Sequence, residues 1–198
     1  MPTFDDRITH YSRARLGGLP VPDDLRALLW AHWEGRSDLS DLLHITLLEP
    51  DEVHPLLDDS YVREDERDTP STKAVFAAAR EVSRHLHVVA RGGKGWIGYW
   101  THPGEPRGRP APIVEIDTES TFWRMSGRTL AEACAADVAY YTDDPPGEFA
   151  RLADRLAELG VALSTRDYDA LHEPELEVDP DELFDMVNDA EFERLTAR

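Results

Sequence analysis

The sequence predicts an α+β protein, with an antiparallel, meandering sheet of about four to six strands, helices packed on one face and an acidic helical C-terminal extension. Three observations carry this. Apolar residues recur at helical spacing in the first 86 residues, the period switches to two between Leu86 and Met125, and helical spacing returns from Thr129 onward. At 198 residues the chain is long enough for one sizeable core plus an appendage, so a core domain over 1–140 and an acidic extension over 141–198 packed on it are expected.

The first predicted helix runs from about Asp23 to Trp33, with Leu25, Leu28, Leu29 and Trp33 on one face and Asp23 capping it after Pro22. Ile45 to Leu48 reads as a short strand or turn; Pro50 punctuates it and a short helix follows from near Asp51. "DDSYVREDERDTPS" is an exposed loop. Ser71 or Thr72 then caps a helix to about Leu86, with Val75, Phe76, Ala79, Val82 and Leu86 as its buried stripe. "LHVVA", the turn "RGGKG" and "WIGYW" make a hairpin; "PIVEID", the turn "TES" and "TFWRM" supply two more strands. Thr129 followed by Glu132 is a capping box opening "LAEACAADVA". Phe149, Leu152, Ala153, Leu156 and Leu159 define a helix stopped by Gly160. After a connector with a possible strand at "VALSTRDY", Asp179, Pro180 and Glu182 open a last helix whose apolar face is Leu183, Phe184 and Val187.

An apolar fraction of 41% with 31% charged residues suits a folded globular chain. No apolar run approaches the roughly 20 residues that cross a bilayer, and "MPTFDDRITHYSRARLGG" has neither an apolar leader core nor a cleavage site. Cys134 is the single cysteine, which fits a reducing compartment, so a cytoplasmic protein is expected. The net charge of −19 is uneven: from Tyr140 onward there are 17 acidic and 5 basic side chains, and none of the latter lies between Asp167 and Glu193. Phosphate contacts need cations, so nucleic acid and anionic membrane are unsuitable partners. The same charge favours steered association with a basic protein, although acidic proteins are common without any such role.

Gly93, Gly95 and Gly98 spell G-x-G-x-x-G, but a dinucleotide fingerprint needs a helix at the third glycine, and "YWTHP" favours a strand that stops. A hairpin explains the same glycines by their tolerance of positive φ. Lys94 lacks the spacing of a phosphate-binding loop. His85 and His87 can face one way as a zinc pair would, yet no third ligand has matching spacing. "DPDELFDMVNDAE" lacks the glycine of a calcium loop and carries helical periodicity. Cys134 among alanines reads as a packed thiol. The many carboxylates select no acid/base pair, and G-x-S-x-G, H-E-x-x-H and C-x-x-C are lacking, so no catalytic residue, cofactor or metal is expected.

The aromatic residues are more informative. Trp96, Gly98 and Trp100 share one face of their strand and Ile97 and Tyr99 the other, so one set packs under helices while the other is partly exposed, unless both are core. The candidate partner-binding residues are therefore an exposed Trp100 flanked by Glu105, Asp117 and Glu119, together with Glu173, Glu175, Glu177 and Asp181 of the acidic stretch.

The stretch "GGKGWIGYW", the turn "THPGEPRGRPA" and "PIVEIDTESTFWRMSGRTLAEACAA" resemble the SUKH superfamily, which takes in fungal cell-wall assembly regulators and many bacterial immunity proteins. The family's glycine-bearing hairpin, strand running into an acidic turn and terminal helix fall on Gly92–Gly98, Ile113–Glu119 and Arg128–Ala133, and "LPVPDDLRALLWAHWEG" is similar to its opening helix. The resemblance spans Leu19 to Ala136; the charged Pro50–Ser71 region and the chain beyond Ala136 depart from it. It implies an immunity protein that binds and neutralises a cognate toxin, often a nuclease or deaminase. The alternatives are a regulatory module binding an endogenous protein and an enzyme with an unrecognised site.

Overall fold

The computed structural model describes residues 2–106 and 108–197. Its elements run α1 (Phe4–Arg15), α2 (Asp23–Trp33), α3 (Leu39–Leu43), β1 (Thr46–Leu47), α4 (Pro70–Ser83), β2 (Leu86–Arg91), β3 (Gly95–Trp100), β4 (Ile113–Asp117), β5 (Phe122–Arg124), α5 (Leu130–Tyr140), α6 (Pro145–Glu158) and α7 (Pro180–Thr196). The α+β class is as expected, and the five strands form an antiparallel meander in chain order.

The hairpin at the centre closes with the Gly92 N–H donating to the Gly95 carbonyl at 2.8 Å. None of Gly92, Gly93, Gly95 and Gly98 adopts positive φ, and it is crowding that requires glycine at Gly95 and Gly98. A Cβ on Gly95 would lie 2.0 Å from the Ile116 carbonyl oxygen, and one on Gly98 would lie 2.6 Å from that of His87. Opposite Gly98 the ladder slips at Val89, a bulge that turns Val89 and Ala90 into the same core.

Helices cover both faces of this sheet instead of the single face expected. On one side α1, α2, α3, α5 and α6 pack over Val89, Ala90, Ile97, Tyr99 and Ile113. On the other, α4 and α7 pack over Leu86, Val88, Trp100, Val114, Ile116 and Phe122. The cause lies in β3 and β4, where Ile97, Tyr99 and Ile113 are apolar on one side and Trp96, Trp100, Val114 and Ile116 on the other, so neither side can be left to water. Residues beyond 140 belong to both cores: Phe149, Leu152 and Leu156 of α6 to the first, Leu183 of α7 to the second.

Several local expectations shift. Helix α1 was not anticipated; Thr3 and Asp6 form its capping box and it buries Ile8 and Tyr11. Thr69, not Ser71 or Thr72, caps α4, with Pro70 in its first turn. The buried face of α4 is Ala74, Ala78, Ala79 and Val82, which lets α7 approach closely, while Val75 turns outward and Leu86 belongs to β2. A single 3₁₀ turn at Pro55–Leu57 stands where a short helix from Asp51 was expected. "VALSTRDY" forms no strand and leads into a 3₁₀ turn at Tyr168–Ala170. Thr129 caps α5 as expected, but Glu132 reaches the N–H of Arg128 rather than that of Thr129.

Candidate partner-binding surface

The acidic chain before α7 is extended, and its residues alternate. Glu173, Glu175 and Glu177 are exposed, whereas Pro174, Leu176 and Val178 are half-buried, the last two against the α4/α7 core. Two groups fasten this strap. The Glu105 carboxylate accepts hydrogen bonds from the N–H groups of Glu177 and Val178, both at 3.1 Å. The Trp100 indole N–H donates to the Val178 carbonyl at 3.0 Å. Bonds from backbone N–H to an ionised carboxylate are among the stronger ones, so Glu105 fixes the segment that would otherwise leave two donors unpaired.

Trp100 is consequently 0% exposed, which corrects its assignment as a surface contact. Its ring is stacked against His102 with centroids 5.8 Å apart, and the strap lies over it. Being on the expected face of β3 did not expose it, because that face is roofed by chain from residues 176–187.

From the strap the chain enters α7, whose Asp179 side chain accepts from the Asp181 N–H at 2.9 Å. Leu183 is buried, Phe184 and Val187 pack against the smaller core, and Glu182, Asp185, Asp189 and Glu193 face outward. Asp181 itself turns toward the sheet and accepts from the Phe122 N–H of edge strand β5 at 3.4 Å. Burial raises its pKa above the ordinary carboxylate value, against the pull of that bond.

In the β4–β5 turn, Asp117 accepts from the N–H groups of Thr121 at 2.9 Å and Glu119 at 2.8 Å. The Thr121 and Glu119 donors and the neighbouring Trp123 hold its pKa below the ordinary value. Ser120 takes positive φ to make the turn, and Glu119 is exposed. Of the eight residues singled out, Glu119, Glu173, Glu175 and Glu177 are thus open to a partner. Glu105, Asp117 and Asp181 hold backbone in place, and Trp100 is core.

Sequence reasoning passed over a second feature of the sheet, on the face opposite Trp100. Trp123 is 55% exposed and pairs across strands with Glu115, which is buried. The Lys94 ammonium lies 3.7 Å from Glu115 and 3.0 Å from Asp137, and 5.3 Å above the Tyr141 ring. Burial opposes that positive charge, but Tyr141, Asp137 and Glu115 outweigh it and raise the Lys94 pKa. Burial pushes the Glu115 carboxyl up while Lys94 pulls the other way. Tyr140 and Tyr141 are both about two-thirds exposed. The available signal was strand alternation: with Phe122 turned inward, Trp123 must point the opposite way.

A cavity of about 1040 Å³ opens between the β3–β4 connection and residues 164–175. Of the four glutamates that line it, Glu173 and Glu175 are exposed, Glu105 holds the strap, and Glu132, fully buried, accepts from the Arg128 N–H at 2.7 Å and from the N–H and hydroxyl of Ser164 at 2.8 and 2.7 Å. His85 and His87 do not form a pair; His85 lies by His102 and Glu81, while the His87 ring approaches Gly17 on the other side. Among the described residues no group of three His, Cys, Asp or Glu side chains could hold a metal ion, and no helix is long and apolar enough to cross a membrane. Cys134 is buried in α5, and burial raises its thiol pKa. Comparison with family models, with curated proteins and with solved structures returned no match.

Proposed function

We propose that this chain is a non-catalytic immunity protein of SUKH type, which neutralises a basic cognate toxin in the cytoplasm by stoichiometric binding. The observation that carries the reading is the acidic chain from Asp167 to Glu193, which contains no Lys or Arg and is fastened to the fold at Glu105, Trp100 and Asp181. Exposed carboxylates on a fixed frame attract a cationic surface at long range and lose little conformational freedom on docking. A toxin that handles nucleic acid has such a surface, and an acidic protein can occupy it. The reading also draws on the resemblance of the sequence at Gly92–Gly98, Ile113–Glu119 and Arg128–Ala133 to the family's hairpin, acidic turn and helix.

Co-expression with the product of the adjoining gene tests this. A one-to-one complex that rescues growth, and that weakens as salt is raised from about 0.1 to 1 M, is the expected outcome. The absence of both a complex and rescue would reject the reading.

A further inference from the structure

We infer that the partner is gripped at a second place, the aromatic patch of Trp123, Tyr140 and Tyr141, and that its contacting side chains there are arginines. The inference rests on the proposed binding of a basic protein and names where that protein's cations seat. Three large aromatic side chains stand open to water: Trp123 on β5, in register with Glu115, and Tyr140 with Tyr141 at the end of α5 in an edge-to-face pair with centroids 5.1 Å apart, Tyr141 lying under Lys94. Between them lies the Glu115–Lys94–Asp137 cluster. Aromatic residues of this kind, Trp and Tyr above all, are the residues around which protein interfaces concentrate their affinity.

The chemistry of the occupant follows from the surroundings. Glu115 and Asp137 are already partnered by Lys94, one of only two lysines in the chain. Asp117, on the same face as Glu115 and Trp123, and the exposed Glu119 have no cationic side chain paired with them among the described residues. A cation is therefore called for beside exposed ring faces. Arginine suits both, since a planar guanidinium stacks on an aromatic ring while donating to a carboxylate. The molecule already uses the arrangement internally: Lys94 lies over Tyr141 while donating to Asp137, and Arg26 lies 5.1 Å over the Phe4 ring while paired with Asp5. A second copy of this chain is the poorer occupant, because its net charge of −19 repels its like.

The test is a heteronuclear NMR titration of the full chain with octa-arginine, and separately with octa-lysine. The expected result is a shift of the Trp123 indole N–H signal but not of the Trp100 signal, with octa-arginine binding the tighter. Trp123→Ala is expected to weaken octa-arginine by about tenfold, and Tyr140→Ala/Tyr141→Ala by a similar factor. An unmoved Trp123 signal, equal affinity of the Trp123→Ala chain, or a dimer in sedimentation that buries Trp123 overturns the inference. Failure here with rescue by the adjoining gene's product intact removes the patch and leaves the immunity reading standing. Loss of rescue in the wild-type chain with Trp123 still responding to octa-arginine does the reverse.

Discussion

Two tryptophans on opposite faces of one sheet have opposite fates. Trp100, at the end of β3, lies beneath the acidic strap and is wholly buried; Trp123, on β5, stands more than half exposed beside the Lys94 cluster. Both sit in strands with the expected alternation, so the pattern of the strand assigns each a side and leaves open what covers it. Cover comes from chain about 80 residues away in sequence from Trp100, at Val178 and Leu183. The strap and α7 therefore have two roles at once, with apolar residues sealing a core and alternating carboxylates facing the solvent.

The pair of tryptophans supplies the largest expected contrast. Trp100→Ala removes a fully buried ring and the bond to Val178, and costs roughly 3–5 kcal/mol in chemical denaturation; Trp123→Ala changes stability by no more than about 0.5 kcal/mol. Equal losses at the two sites would erase the distinction between a ring sealed in the core and a ring left open to water. Next in size is Glu105→Ala, which removes the one carboxylate oxygen, Oε1, that accepts from the N–H groups of both Glu177 and Val178. Thermal denaturation is expected to register roughly 1–2 kcal/mol, reduced from the buried value because Glu105 is partly solvated.

A smaller effect is expected from pH. His54, whose Nε2 lies 2.9 Å from the Leu86 carbonyl oxygen, has its pKa lowered chiefly by burial, and His85 beside Trp100 and His102 is lowered by burial and then by His102. His87, on the other face, is lowered too, again by burial. A depressed folded pKa means that the unfolded chain binds more protons. The stability these groups contribute is present above their ordinary value of 6.5 and is lost as pH falls through the lower folded values. His54→Gln is expected to flatten the fall in melting temperature below pH 6.5; an unchanged slope would place the titration elsewhere. Smallest is Tyr99→Phe. The Tyr99 hydroxyl is buried with no hydrogen-bond partner among the described residues, so its removal is expected to be neutral or to stabilise by up to about 1 kcal/mol. A clear loss of stability would reveal a partner for that hydroxyl.

The strands of the meander and helices α2, α5, α6 and α7 were legible because their periods and caps are strong: Asp179 before Pro180, Thr129 before Glu132 and the apolar faces themselves. Helix α1 was not, since Ile8 and Tyr11 are the buried apolar residues of a mostly polar segment. The second helical layer was missed for a related reason. Alanines on α4 carry a weak apolar signal, yet their small size admits α7. At the candidate site, exposed acids such as Glu173 and Glu175 could be listed from charge alone. That Glu105 serves as an internal clamp depends on a contact across 72 residues, which no local pattern encodes. Trp123 was hidden for another reason: its ring is left 55% exposed on a three-residue strand at the edge of the sheet, and strand alternation assigns it a side without saying how far the covering helices extend.

Hydrogen exchange of the full chain tests the central claim most directly, because that claim is one of rigidity: the acidic C-terminal chain is a fixed surface. The amides of Glu177 and Val178, which donate to Glu105, and of Phe122, which donates to Asp181, are predicted to exchange slowly, with protection approaching that of β3. Exchange of those three amides at the rate of unstructured chain, while β3 stays protected, would contradict the account and make the strap a loose tail.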